Sequence, residues 1–485
     1  MKKTFLSIAT ALVLCACNPS AKHPDAATTA QPGAATANST TFTPSDIHEQ
    51  MIYQRAIDAA VWGMAVVNYQ LMFDEMAKLN GQFNQVVLWP GLLSWKNQTL
   101  TPNPDVIYLM PFFNMQDGPV VLEIPPADSG TFNGSIMNCW QAAIEDIGPG
   151  GLDKGKGGKY FIMPPGYDKS KVPAGYFAMP SDTYHGYALL RSVLKSGSEA
   201  DVAAAVRYAR RIKVYPYSQS TKAPATTFID ASGTVYDAVI PYDIRFYKTL
   251  DKIIQSEPWL DRDKAMIDPL KTIGIERGKS FNPDARRSEI LAAAVQKARA
   301  WLDYNYTRCE PFYKGKHWFF PASEELIKNV QSRFTLQESY PIDNRGVAYM
   351  IAFFSAMHLG QSQYYLLCTL DKDGKPLKGS NHYKLHVPAH VPVTQYWSVT
   401  VYNRETHTFI REAKWMGRSS QTPGLQRNSD GSVDLYFGPK EPAGGASNWV
   451  PTDANGDFEL LARFYGPDKT LYEKNWQLND PEPMP

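Results

Sequence analysis

The hydrophobic period of this chain changes three times, and those changes limit its fold more than any single motif does. Ile52, Ala56, Ala60, Met64, Val67 and Leu71 recur at helical spacing, while Trp62, Val66, Tyr69 and Phe73 fill the other side. A helix apolar on most of its faces has to be buried. Ser45, after Pro44, is suited to cap it, with His48 and Glu49 near the capping-box position. A second, shorter element runs to Trp89, where Pro90 and Gly91 stop it. After Thr101 the period shortens. Residues 120–124, 160–163 and 187–190 are apolar runs bounded by Gly and Pro, and the region to about Tyr217 reads as a sandwich of antiparallel strands. From Tyr242 to about Arg333 the helical period returns. Ile290, Ala294, Ala298, Trp301 and Leu302 form one stripe opposite Arg287, Gln296, Lys297 and Arg299. Beyond it, Asp373-Gly374, Asp430-Gly431 and Asn455-Gly456 are hairpin signals between strands at 396–402, 433–437 and 458–465. Trp397, Val399 and Val401 alternate with Ser398, Thr400 and Tyr402, which predicts one face in a core and the other in water.

These periods predict an α+β multidomain fold. Helices occupy 44–100, an antiparallel β-sandwich 101–235, an α-helical middle domain 236–340, and a jelly-roll-like β-sandwich 341–485. With 44% hydrophobic and 12% aromatic residues, the body holds together by burial.

The first forty residues are of another kind. Lys2 and Lys3 precede an apolar run from Phe5 to Leu14, then Cys15-Ala16-Cys17. A charged start, a short apolar core and a small residue at the cut make a secretory signal, too short for a lasting span, which needs about 20 apolar residues. Residues 1–16 read as a lipoprotein signal peptide, and Cys17 as the lipid-attachment residue that becomes the mature N-terminus. Each buried acyl CH₂ contributes about 0.8 kcal/mol, so two or three chains hold a protein on a bilayer without a spanning helix. Asn18 after the Cys resembles the signal for the outer membrane. Residues 17–43, rich in Ala, Thr, Ser, Pro and Gly, read as a disordered tether. The expected location is the cell envelope, at the outer membrane or the periplasmic face, with membrane contact through the lipid alone.

Charge and motifs exclude several functions. The formal charge of +1 becomes −1 once Lys2 and Lys3 leave with the signal, and no basic run compensates, so nucleic acid is not an expected partner. Gly150 to Lys156 imitates a phosphate loop, but Gly157 stands where Ser or Thr would hold Mg²⁺, and a strand follows. Ser192 and Lys195 have acylase spacing without its companion motifs, and no G-x-S-x-G elbow occurs. His382, His386 and His390 are four apart on what reads as a strand, where neighbouring pairs lie roughly 13 Å apart, so no metal site is expected. An envelope location also removes cytosolic nucleotide pools, and no cofactor is expected. Cys139, Cys309 and Cys368 are an odd set in which one disulfide is open.

Thr101-Pro102-Asn103-Pro104-Asp105-Val106-Ile107-Tyr108 and the 118–125 stretch resemble the start of a bacterial family, domain of unknown function 1254. The 273–281 stretch is similar to its middle section, and residues 396–402, 428–432 and 448–451 resemble its usual partner, domain of unknown function 1214. The resemblance implies the same sandwich, helical middle and C-terminal jelly roll, and it brings no established reaction. Val106-Ile107 replaces a Thr-Leu pair common in the family, so any chemistry on that hydroxyl is missing here.

Asn103, Asp105 and Tyr108 put an amide, a carboxylate and a phenol at the edge of a strand, where they either hold a polar ligand or act as acid and base. The bland alternative is a turn, since Asn and Asp beside Pro bond their own backbone. Trp140, Tyr160 and Arg191 are expected to line the same cavity; the competing reading makes them core aromatics and a paired arginine. Two functions follow. One is an envelope protein binding a small organic molecule, aromatic or sugar-like, in a Tyr- and Trp-lined pocket. The other is a cofactor-free hydrolase, lyase or isomerase with Asp105 as base and Tyr108 and Arg191 as acid or anion clamp. Oligomeric state is left open.

Overall fold

The structure is a computed structural model that describes residues 42–352, 357–358 and 363–485. The expected signal, Cys17 and nearly all of the tether lie outside the described residues. The apolar N-terminal stretch forms α1 (Ile47–Lys78), capped by Asp46 rather than Ser45. Asp46 accepts from the Glu49 N–H at 2.9 Å, and the Glu49 carboxylate reaches back to the Ser45 N–H at 2.8 Å. This is a capping box displaced by one residue. By length and composition α1 is able to cross a bilayer, yet 72% of its most apolar window is buried against its neighbours.

The region predicted as a short second element is β1 (Gln85–Leu88), so the first sandwich begins before the expected boundary at residue 101. It continues through β2 (Asn97–Gln98), β3 (Val106–Asn114), β4 (Val120–Ile124), β5 (Phe132–Asn138), β6 (Ala143–Ile147) and β7 (Gly158–Met163). After β8 (Tyr176–Pro180) and β9 (His185–Val193) come α2 (Glu199–Ala209), β10 (Lys213–Pro216), β11 (Phe228–Asp230) and β12 (Tyr236–Asp237). One sheet runs β11-β1-β3-β9-β5-β6 and the other β10-β4-β7-β8, while β12 pairs with β2. The sandwich is mixed rather than antiparallel throughout, because β1 with β11 and β7 with β8 run parallel. Both faces of the larger sheet are buried. Ile107, Leu109, Ala188 and Leu190 face the smaller sheet, whereas Tyr108, Met110, Tyr187 and Leu189 face the helices.

The helices α3 (Ile244–Ser256), α4 (Ile267–Ile273), α5 (Ala285–Tyr306), α6 (Glu324–Gln331) and α7 (Ile342–Ala352) form the middle region. α1 packs on α3, α4, α5 and α7, so the N-terminal and middle helices share one layer. In α5, Ile290, Ala294, Ala298 and Leu302 are buried as the stripe predicts, but Trp301 is 43% exposed. At 100° per residue it sits on the margin of the stripe, and its ring turns out to stack on Tyr304 and donate to Asp343.

The C-terminal strands are β13 (Gln363–Cys368), β14 (His382–Val387), β15 (Val393–Asn403), β16 (Gly417–Ser419), β17 (Val433–Gly438), β18 (Trp449–Pro451), β19 (Phe458–Pro467) and β20 (Glu482–Met484). They make two sheets, β13-β19-β15-β16 and β18-β17-β14-β20. Trp397, Val399, Val401, Leu460 and Phe464 of the first meet Leu385, Leu435 and Phe437 of the second in one core. The three Gly-containing turns form, and Gly374 and Gly431 take left-handed φ of 75° and 86°. Asp373-Gly374 closes a short antiparallel hairpin in which Leu370 pairs with Pro376. The longer strands flanking the three turns, β13 and β14, β16 and β17, β18 and β19, lie in opposite sheets, so the chain crosses the sandwich at each of them. The alternation in β15 has a second outcome. Ser398, Thr400 and Tyr402 do not face water but are buried to 1%, 0% and 0% exposure, against the first sandwich. The three described cysteines, Cys139, Cys309 and Cys368, are unpaired.

Candidate functional site

Two sheets meet where that polar face of β15 and β19 packs on the end of β3 and β9. Tyr108 of β3 lies opposite Arg191 of β9 in register, and the Arg191 Nε–H donates to the Tyr108 hydroxyl at 3.0 Å. From the other domain, Arg463 in mid-β19 has Tyr365 opposite it in β13 and Ser398 opposite it in β15. Two residues on, Tyr465 pairs with Tyr396, and their rings stack at 4.4 Å. Arg463 is 2% exposed. It donates to the Thr400 hydroxyl at 2.8 Å, the Thr101 carbonyl at 2.9 Å and the Tyr402 hydroxyl.

Asn103 joins the two domains through both ends of one amide. Its Oδ1 accepts from the Asp105 N–H at 2.9 Å, which is the turn that Asn beside Pro favours. Its Nδ2 donates to Tyr465 at 2.7 Å and Tyr396 at 3.2 Å, and its backbone N–H donates to the Tyr108 hydroxyl at 3.1 Å. Burial pushes the Tyr396 and Tyr465 phenols well above their ordinary range, so both remain protonated. Thr101, whose carbonyl Arg463 holds, has a left-handed φ of 39°, an outlier for a β-branched residue. Its N–H is tied to the His407 carbonyl at 2.7 Å. Such local strain persists only where the surroundings hold it.

Between these groups lies a cavity whose wall includes Tyr108, Arg191, Tyr365 and Arg463, with Trp89, Met110, Leu189 and Leu461 as apolar lining. It measures about 520 Å³ with its open mouth, but the enclosed part has room for only about one or two waters.

Of the predicted site residues, Tyr108 and Arg191 line this cavity, and Asn103 lies behind it, its backbone N–H on the Tyr108 hydroxyl. Asp105 is a neighbour whose side chain turns elsewhere, toward the hydroxyls of Ser398 and Ser419. Burial raises its carboxyl above the ordinary 3.8, against the opposing pull of Arg463 and of those two hydroxyls. An acid whose folded pKa is raised holds its proton harder folded than unfolded. Its ionisation therefore costs stability as pH rises past 3.8, and the loss is complete above the raised value. Asp105→Asn is expected to flatten that part of the stability curve, read as urea midpoints between about pH 3.5 and 7. Parallel curves for the two proteins would contradict it.

Trp140 and Tyr160 lie elsewhere. Trp140 packs at 4.7 Å on Trp62 of α1, with the Arg345 guanidinium 4.2 Å above its ring, beside a second, smaller cavity walled by Trp62, Trp259 and Asp263. Tyr160 points from β7 into the core of the first sandwich against Phe177, where burial raises its phenol. In both cases the core-aromatic reading holds, because the register of β7 and the β5–β6 connection turn them away from the junction. Arg463, Tyr365, Tyr396 and Tyr465 were not anticipated. The signal for them was an arginine inside the apolar run of β19, sharing strand parity with Leu461 and Tyr465.

The remaining motifs resolve locally. Asp153 accepts from the Gly148 and Gly157 N–H groups at 2.7 and 3.0 Å and so ties up the loop that imitates a phosphate site. The Ser192 hydroxyl donates to the Ala205 carbonyl. His386 pairs with Asp434 at 2.7 Å. Among the described residues no cluster of three or more His, Cys, Asp or Glu is placed to hold a metal ion.

The fold and this junction define a mixed α+β protein in which a helix-backed sandwich and a C-terminal sheet domain close on a shared cavity. Residues 83–216 match DUF1254 and residues 362–469 match DUF1214, each described as a protein of unknown function. The chain carries both domains, in that order. The 273–281 stretch lies between the two matched regions. The crystal structure of the VPA0106 protein from Vibrio parahaemolyticus is similar over 90% of this chain and 100% of its own, with a TM-score of 0.55 and 17% identity, which shows a shared fold. A putative uncharacterized protein from Burkholderia cenocepacia aligns over 90% of this chain and 94% of its own, with a TM-score of 0.40 and 11% identity. No curated protein matches.

Proposed function

We propose that this chain is a lipid-anchored cell-envelope protein, attached through Cys17, that binds a small organic molecule in the cavity between its DUF1254 and DUF1214 regions. The observation that carries the reading is the convergence on one cavity of Tyr108 and Arg191 from one domain with Tyr365 and Arg463 from the other. Ligand sites favour domain junctions, apolar walls and a few fixed polar groups. The phenols supply flat amphipathic surface for an aromatic or sugar-like body, which enters only as the two domains part beyond the one or two waters that the closed cavity holds. Thermal unfolding across a panel of aromatic acids, phenols and sugars tests it. A specific ligand at 100 times its dissociation constant adds about 2.7 kcal/mol of stability, and a silent panel would count against binding.

One observation favours the second reading, a cofactor-free hydrolase, lyase or isomerase: the Asp105 carboxyl is held above its ordinary range, as a general base requires. Its carboxyl lies behind the cavity wall, so the reading needs a route for substrate past Ser398. The same Asp105→Asn variant decides this too, since an activity left unchanged removes Asp105 as the base.

A further inference from the structure

We propose that the junction cavity selects a small organic carboxylate, gripped by Arg191 and drawn by the fixed charge of Arg463. This deepens the binding reading above and rests on it.

The argument begins with what the two arginines already hold. A guanidinium offers five N–H donors in a planar fork. Arg191 uses one of them, Nε to the Tyr108 hydroxyl, and among the described residues its terminal nitrogens have no hydrogen-bond partner. No carboxylate among the described residues forms an ion pair with it, although it lines the cavity. Its guanidinium lies 5.3 Å from the centre of the Tyr108 ring, which orients the plane of the fork. Arg463 differs. Its terminal nitrogens are spent on Thr400, Thr101 and Tyr402, so it stays in place and contributes charge. It too has no ion-pair partner among the described residues.

The wall of the cavity thus carries two cations and no acidic residue. Asp105, three residues before Tyr108, turns its carboxyl toward Ser398 and Ser419. Two like charges lined by Leu100, Met110, Leu189 and Leu461 sit in a low-dielectric surround, which strengthens their attraction for an oxyanion. The apolar lining separates the oxyanions: an organic carboxylate brings a carbon skeleton for Leu100, Met110, Leu189 and Leu461 to cover, and inorganic phosphate brings none. The apolar lining and Trp89 take the carbon skeleton.

The test uses the full chain extracted in detergent, with acetate, pyruvate and benzoate each titrated calorimetrically against its own amide, and inorganic phosphate as the tetrahedral control. At least one acid is expected to bind tenfold or more tightly than its amide at neutral pH, weakening as salt rises. Arg191→Met is expected to erase that preference, and Arg191→Lys, which keeps the charge without the fork, to restore part of it. The acid–amide comparison needs no variant and stands even if Arg191→Met fails to fold. Equal binding of an acid and its amide would end the carboxylate proposal while leaving the small-molecule reading intact, as would a preference for phosphate. If neither acids nor any neutral compound bind, both readings fall together.

Discussion

Asp263→Ala is expected to lower unfolding stability by about 4 kcal/mol, the scale on which removing one partner of a buried ion pair acts. Asp263 is 2% exposed and sits among three residues that converge on it. The Trp62 indole N–H of α1 donates to it at 2.6 Å, Arg345 of α7 lies 3.5 Å away, and Arg262 also lies at 3.5 Å. Burial first, and the neighbouring Arg262 charge second, pull the Arg345 guanidinium down to about 10, although Asp263 opposes that shift. Without the carboxylate, Arg345 keeps a contact to the Trp62 carbonyl and the face of Trp140, and Arg262 keeps partly exposed Asp182. Neither replaces a buried counter-charge. Asp263→Asn keeps the acceptor for Trp62 and removes the charge, so it should fall between wild type and Ala. Urea unfolding of the three proteins measures the order. A loss below about 1 kcal/mol in Asp263→Ala would mean that the cluster is solvated and does not bolt α1 and α7 to the segment between α3 and α4.

That cluster also shows where sequence stopped being informative. Periodicity identified α1 as buried, since a helix apolar on nearly every face has only one stable environment. It did not say what α1 is buried against, because tertiary partners such as Asp263 and Arg345 are far away in sequence and carry no local spacing. Trp140 illustrates the cost: its residue type suits a ligand pocket and a core equally, and only the position of Arg345 and Trp62 decides. Strand parity was legible in β15 and its use was not. Ser398, Thr400 and Tyr402 have the polarity of a solvated face, and they are the face on which the two domains close. A polar stripe records that water or polar partners are present, without distinguishing them. Half of the candidate site was readable for a related reason. Asn103 and Tyr108 stand within one short Pro-rich segment, whereas Tyr396, Arg463 and Tyr465 reach it across the whole chain through sheet register.

Asn103→Leu is expected to cost about 3 kcal/mol and to abolish ligand binding at the junction. The substitution preserves approximate volume, so its effect reports polar contacts rather than a cavity. Three hydrogen bonds of the side chain disappear: Oδ1 to the Asp105 N–H, and Nδ2 to Tyr465 and Tyr396. Each contributes about 1 kcal/mol net, and leaving a buried partner unsatisfied costs more than that mean. The backbone bond from Asn103 to Tyr108 survives only while the turn keeps its shape, and that turn depends on the lost Oδ1 contact. Tyr108, then held by the Arg191 Nε–H alone, is no longer pinned by the turn, and the fork no longer meets the cavity in a fixed plane. Binding and stability are therefore expected to fail together in Asn103→Leu. Tyr465→Phe, which removes one phenol and leaves the turn, should lose about 1 kcal/mol and retain the turn-dependent position of Arg191. In the double variant the two losses should sum to less than their separate values, because they share the Nδ2 bond. Strict additivity in urea unfolding would show that Asn103 and Tyr465 do not act on each other, and that the domain junction is held by something other than this amide.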